Sequence, residues 1–223
     1  MVNDYNQNME MVTGMTDKKL SCVDCGTCNC NNHKTMYPEF CLTTNLDEAL
    51  LAETMELYKE DENLMVTRAS AEVESEGYLK RTRVEEVMEF ARKIGAKKLG
   101  IATCVGLIRE SRALANILRN NEFEVYAAAC KVGSVPKSEV GIDEHSEQVG
   151  KYMCNPILQA KLLNEEGTDL NLVVGLCVGH DSLFYKYSEA LVTTVVTKDR
   201  VTGHNPVAVL YNAESYYKRL NNK

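Results

Sequence analysis

The chain has 223 residues, a formal net charge of -7 and nine cysteines. That length can bury a core without cross-links, so one α/β domain of ordinary size with a small appendage is expected. The 25 basic residues are scattered rather than gathered into a stripe, which argues against nucleic acid as a partner.

The first twenty residues (MVNDYNQNMEMVTGMTDKKL) carry acids and amides where a secretory segment needs apolar residues. No apolar run reaches the roughly 18 residues of a membrane span, so a cytoplasmic protein without a membrane partner is expected. Cysteines stay reduced in that compartment and their number here is odd, which points to metal or redox chemistry rather than disulfides.

In chain order, residues 1–20 read as a mobile arm. Residues 21–45 are poor in apolar side chains and hold five of the nine cysteines, as a metal-nucleated module would. Residues 46–95 form a helical segment. Leu50, Leu51, Met55, Leu57 and Tyr58, and later Val84, Val87, Met88 and Ala91, fall at helical spacing, which predicts two or three surface-packed helices.

Residues 96–223 read as an α/β domain. KKLGIATC, EVYAAAC, LNLVVGLC and ALVTTVVT have the apolar character of buried parallel strands, and NPVAVLY is a candidate fifth. GLIRESRALANILRNN, PILQAKLLNEEG and SLFYKYSEA between them suit helices. The expected fold class is therefore α/β, with a doubly wound, mostly parallel sheet, intervening helices and a small cysteine-rich N-terminal metal module. Such sheets bind ligands beyond the carboxyl ends of their strands.

Three cysteines fall at those ends: Cys104 before Val105-Gly106, Cys130 before Lys131-Val132-Gly133, and Cys177 before Val178-Gly179. Glycine lets the backbone turn there and aim amides at sulfur. Cys154 precedes Asn155-Pro156, a helix start, where the dipole favours a thiolate. Cys104, Cys130, Cys154 and Cys177 thus form a candidate cofactor site with the ligand count of a [4Fe-4S] cluster or an all-cysteine zinc site.

A second group comprises Cys22, Cys25, Cys28, Cys30 and Cys41. Two consecutive Cys-x2-Cys steps resemble the start of a ferredoxin ligand run, but the expected x3 cysteine is missing. The steps equally suit a zinc knuckle with His33 as a nitrogen ligand.

Beside Cys177, His180 is a candidate proton donor that Asp181 would orient; the alternative is that Asp181 caps a helix starting at Ser182. Arg109 and Arg112 follow the Cys104 loop, where they either neutralise site charge or lie on a helix surface. Asp199-Arg200 and Gly203-His204-Asn205-Pro206 line the same crevice or form a plain turn.

CVDCGTC at 22–28, PEFC at 38–41 and GLCVGHDSLF at 175–184, with the Cys104 and Cys130 strand ends, resemble a family of cysteine-rich proteins, classed as a domain of unknown function, of anaerobic bacteria and methanogenic archaea. The similarity spans nearly all of residues 20–220. The resemblance implies metal binding in an anaerobic setting.

The leading expectation is an iron-sulfur metalloprotein with two cysteine-ligated sites: two [4Fe-4S] clusters, or one with zinc at the N-terminal site. It would act in electron transfer, or in reduction or sulfur chemistry on a small substrate. A redox protein or small molecule is the expected partner, and a homodimer is admitted. The alternative is a non-catalytic protein that stores, senses or delivers zinc or iron.

Overall fold

The structure, a computed structural model, describes residues 18–32 and 36–221. Residues 1–17 of the expected arm, and His33, lie outside the described residues. The chain divides into two compact units, 1–64 and 65–223, and the division falls in the first turn of a helix.

The first unit holds two short 3-10 turns, Cys22–Asp24 and Asn29–Asn31, and the helix α1 (Glu48–Leu57). Asp47 starts α1 by accepting a hydrogen bond from the Ala49 amide at 2.9 Å. None of the unit's described residues is buried. The helical spacing of Leu50, Leu51, Met55 and Leu57 does predict α1, but these side chains are exposed, contrary to the expectation of a packed helix.

The second unit contains α2 (Asp61–Gly77, from Met65 on), α3 (Arg83–Lys93), β1 (Lys98–Thr103), α4 (Ile108–Asn120), β2 (Glu124–Ala129), α5 (Pro156–Glu165), β3 (Leu170–Val174), α6 (His180–Tyr187), β4 (Leu191–Val196) and α7 (Val207–Tyr211). The four strands form an all-parallel sheet in the order β2-β1-β3-β4. NPVAVLY, the candidate fifth strand, is instead the short helix α7: Pro206 is already helical and precedes its first turn.

Strand alternation divides the core between the two faces of the sheet. Leu99 and Ile101 of β1 and Leu170, Leu172 and Val174 of β3 face α3 and α4, meeting Val87, Met88, Leu114 and Leu118. Ala102 and Val173 point the other way, toward Ala160 and Leu163 of α5 and Phe184 of α6. Helices on both faces make the sheet doubly wound, as expected. Among the described residues, no helix is long and apolar enough to cross a membrane.

Chain direction across the sheet reverses between β1 and β3, where a crevice opens at the carboxyl edge. Gly175, just past β3, allows that edge to close. Its φ of +62° lies in the left-handed region, and a Cβ there would overlap Leu107 Cδ1 from the loop after β1. Gly175→Ala should therefore cost about 2–4 kcal/mol, backbone strain adding to overpacking of the buried Leu107. Urea denaturation checks this, and a change below about 0.5 kcal/mol would refute the close approach.

Candidate functional site

Residue parity decides where the thiols point. Cys104 and Cys130 continue β1 and β2 on the face shared with Ala102 and Ala128, so both turn toward α5 and α6 and are buried. Cys104 starts a 3-10 turn (Val105–Leu107), which folds amides back onto sulfur: Gly106 N donates to Cys104 Sγ and Val105 N to Cys130 Sγ, each at 3.4 Å.

Cys154 sits immediately before α5, as its Asn155-Pro156 sequel predicts. Asn155 Oδ1 accepts from Leu158 N at 3.0 Å, and Asn155 N donates to the Cys130 carbonyl at 2.8 Å. Further along α5, the buried Gln159 donates Nε2 to the Thr103 and Ala128 carbonyls, tying the helix across the ends of β1 and β2. Cys177 lies three residues beyond β3 rather than at its end, and its carbonyl accepts from the amides of His180 and Asp181. Arg200 Nη2 donates to Cys177 Sγ at 3.2 Å.

These four cysteines line one cavity of about 470 Å³ together with His180. Its other charged lining residues are Lys131, Lys137, Lys198 and Arg200, and among the described residues no carboxylate lines it. In a chain of net charge -7, this is a local inversion of sign.

The thiols are electrostatically linked in a row. Cys130 donates toward Cys104, and this, with the Gly106 amide and Lys198, holds the Cys104 pKa down at about 5. Cys154 is lowered to about 4, first by Cys130 and then by His180. Cys130 itself is pushed up, because Cys104 and Cys154 flank it and burial adds to the effect. His180 is raised, chiefly by Cys154. The row therefore reads thiolate, thiol, thiolate, with the His180 imidazole beside the second thiolate.

The expectation that Asp181 orients His180 is corrected. Asp181 Oδ1 accepts from Ser182 N; the rise at His180 comes chiefly from Cys154, and Asp181 adds only a smaller coulombic contribution. Nor does Asp181 cap a helix starting at Ser182, since α6 begins at His180 with Gly179 before it. Arg109 and Arg112 are exposed on α4 and do not line the cavity. Asp199 and His204 instead close a turn, with Asp199 N donating to His204 Nδ1 at 3.1 Å. Of that segment, Arg200 reaches the site. Lys198 and Lys137 were not singled out from the sequence; the carboxyl-edge rule reaches Lys198, two residues past β4, and no local motif marks Lys137.

In the first unit, Cys22, Cys28 and Cys30 are exposed and Cys25 and Cys41 half-buried. Cys25 is lowered by the Thr27 hydroxyl at 3.5 Å, and Cys41 by the Thr44 amide. Among the described residues, no three of His, Cys, Asp and Glu form a group that could hold a metal ion. The donor chemistry at the sheet edge nevertheless suits an anionic thiolate-ligated centre: soft sulfur ligands, amides aimed at sulfur, and cations around them.

Fold and site together define an α/β protein with a four-cysteine cavity at the switch point of its sheet. Residues 41–195 match the family described as protein of unknown function DUF1847, and the chain belongs to that family. An uncharacterized protein of Methanocaldococcus jannaschii is 47% identical over 166 residues, which cover 74% of this chain and 85% of that protein. No solved structure matches. The family match is shorter than the 20–220 expected: it includes Cys41 and all four sheet-edge cysteines and leaves out Cys22–Cys30.

The electrostatic row predicts how alkylation depends on pH in the metal-free chain. Cys154 has a lowered pKa, so it is already thiolate above about pH 5, and its reaction with iodoacetamide should be nearly flat from pH 6 to 8. Peptide mapping by mass spectrometry measures this. A roughly tenfold rise per pH unit, as an ordinary thiol near 8.5 shows, would contradict the arrangement.

Proposed function

We propose that the chain is an iron-sulfur metalloprotein in which Cys104, Cys130, Cys154 and Cys177 hold a [4Fe-4S] cluster. It serves electron transfer, or reduction or sulfur chemistry on a small substrate, under anaerobic conditions. One observation carries this reading: four cysteines from four loops line a single cavity whose other charged lining groups are all basic. Four cysteines disposed around one cavity match the ligand count of such a cluster.

When bound, such a cluster supplies one-electron transfer. The protein's own groups prepare for it. Cys104 and Cys154 are held as thiolates, while Cys130 keeps its proton and must release it on ligation, so assembly should weaken as pH falls. The Val105 and Gly106 amides and the Arg200 guanidinium donate to sulfur and stabilise negative charge there. His180 lies on the cavity wall with its pKa raised, chiefly by Cys154, which suits it to supply a proton to a substrate undergoing reduction.

A second centre in residues 21–45, of iron-sulfur or zinc, is part of the proposal. Its support is that a unit with five cysteines buries none of its described residues, so metal ligation would supply the order that a core does not.

Cys154→Ala tests the sheet-edge site, because this thiol comes from a helix start rather than a strand end. It should lower iron per chain of anaerobically isolated protein as far as Cys104→Ala does. Full retention of iron in Cys154→Ala, with loss in Cys104→Ala and Cys177→Ala, would reduce the ligand set to three and refute the assignment.

A further inference from the structure

We propose that the basic wall of the sheet-edge cavity is a binding site for a small anion carrying a carboxylate or phosphate-type oxyanion, with Lys137 as its principal cation. The proposal rests on the reading of this cavity as a site acting on a small substrate, and it names that substrate's class.

Lys137 is only 7% exposed and lines the cavity. Its Nζ donates to the Ser146 carbonyl. An ammonium has three N–H donors, so one carbonyl leaves two donors and a full charge without compensation. Buried charges in folded proteins are paired, and among the described residues every ion pair lies elsewhere. An anion bound in the cavity would supply such a partner.

The thiols do not fill that role for Lys137. Arg200 donates to Cys177, Lys198 attends Cys104 and Lys131 attends Cys154, whereas Lys137 Nζ donates to the Ser146 carbonyl. The backbone that carries Lys137 is held in place: Lys137 N donates to the Lys151 carbonyl at 3.1 Å, Ile142 N donates to the Lys137 carbonyl at 3.1 Å, and Pro136 bridges to Tyr152.

The cavity volume of about 470 Å³ lies within the range of small-molecule sites. Ile142, Val149 and Met153 line it beside the cations. The site thus offers charge for an oxyanion and apolar surface for a short carbon body.

The test is isothermal titration of the anaerobically isolated full chain with inorganic phosphate and, separately, with succinate. At least one should bind with one-to-one stoichiometry, and the tighter of the two identifies the oxyanion class. Lys137→Met should weaken that binding by about 10- to 100-fold, the loss of one charge-assisted contact, with iron per chain unchanged. Lys137→Arg should retain most of the affinity, and Lys97→Met, exposed before β1, should change nothing.

Absence of binding by both anions, or wild-type affinity in Lys137→Met, overturns the proposal. Loss of iron in Lys137→Met also overturns it, since Lys137 would then be balancing a cluster. Should that variant fail to fold, amine labelling of the wild-type chain decides: anion must slow modification of Lys137 relative to Lys97, and equal rates overturn the proposal. Lys137-dependent anion binding in a chain that never holds iron would support this site while refuting the cluster.

Discussion

Two thiolates can flank a buried thiol only where their negative charge is met by something other than water. At the carboxyl edge of this sheet that role falls to the Gly106 amide, the Lys198 and Lys131 ammonium groups and the His180 imidazole. These act beside Cys130, whose thiol is the first cause of the low pKa at both Cys104 and Cys154, and together they outweigh desolvation. The pattern of protonation in the cavity follows from the Cys130 thiol together with this local excess of positive charge.

The fold supplies that environment through features that are individually modest. Alternation along β1 and β2 sends Cys104 and Cys130 to one face. Gln159 and Asn155 bind α5 to the same strand ends, which brings Cys154 to Cys130. Gly175 turns the chain past β3 so that Leu107 can close over it, and Cys177 follows two residues later. The first unit is built differently. Its cysteines sit on short turns without a buried residue among those described, an arrangement in which ligation rather than apolar burial would be the organising force.

Much of this was legible in the sequence because it depends on local pattern. Apolar runs ending in Cys-Val-Gly identified β1 and β3 and the edge where the four cysteines gather, and Asn155-Pro156 located the start of α5. What the sequence did not disclose depends on contacts between distant segments. NPVAVLY has strand-like composition, but at five residues past Pro206 it completes a helical turn instead. Asp181 stands next to His180 in the chain, yet the helix directs it to its own backbone and hands the imidazole to Cys154. Lys137 carries no motif at all, and its importance appears only once its burial and lack of a carboxylate partner are seen.

The central claim is that the sheet-edge thiols hold a multi-iron centre. Iron, zinc and acid-labile sulfide measured per chain on anaerobically isolated protein, beside its visible spectrum, test it most directly. The account predicts a brown protein with iron and sulfide in equal amounts, about four or more of each, and broad absorbance near roughly 400 nm. A colourless protein containing zinc and no sulfide would contradict it.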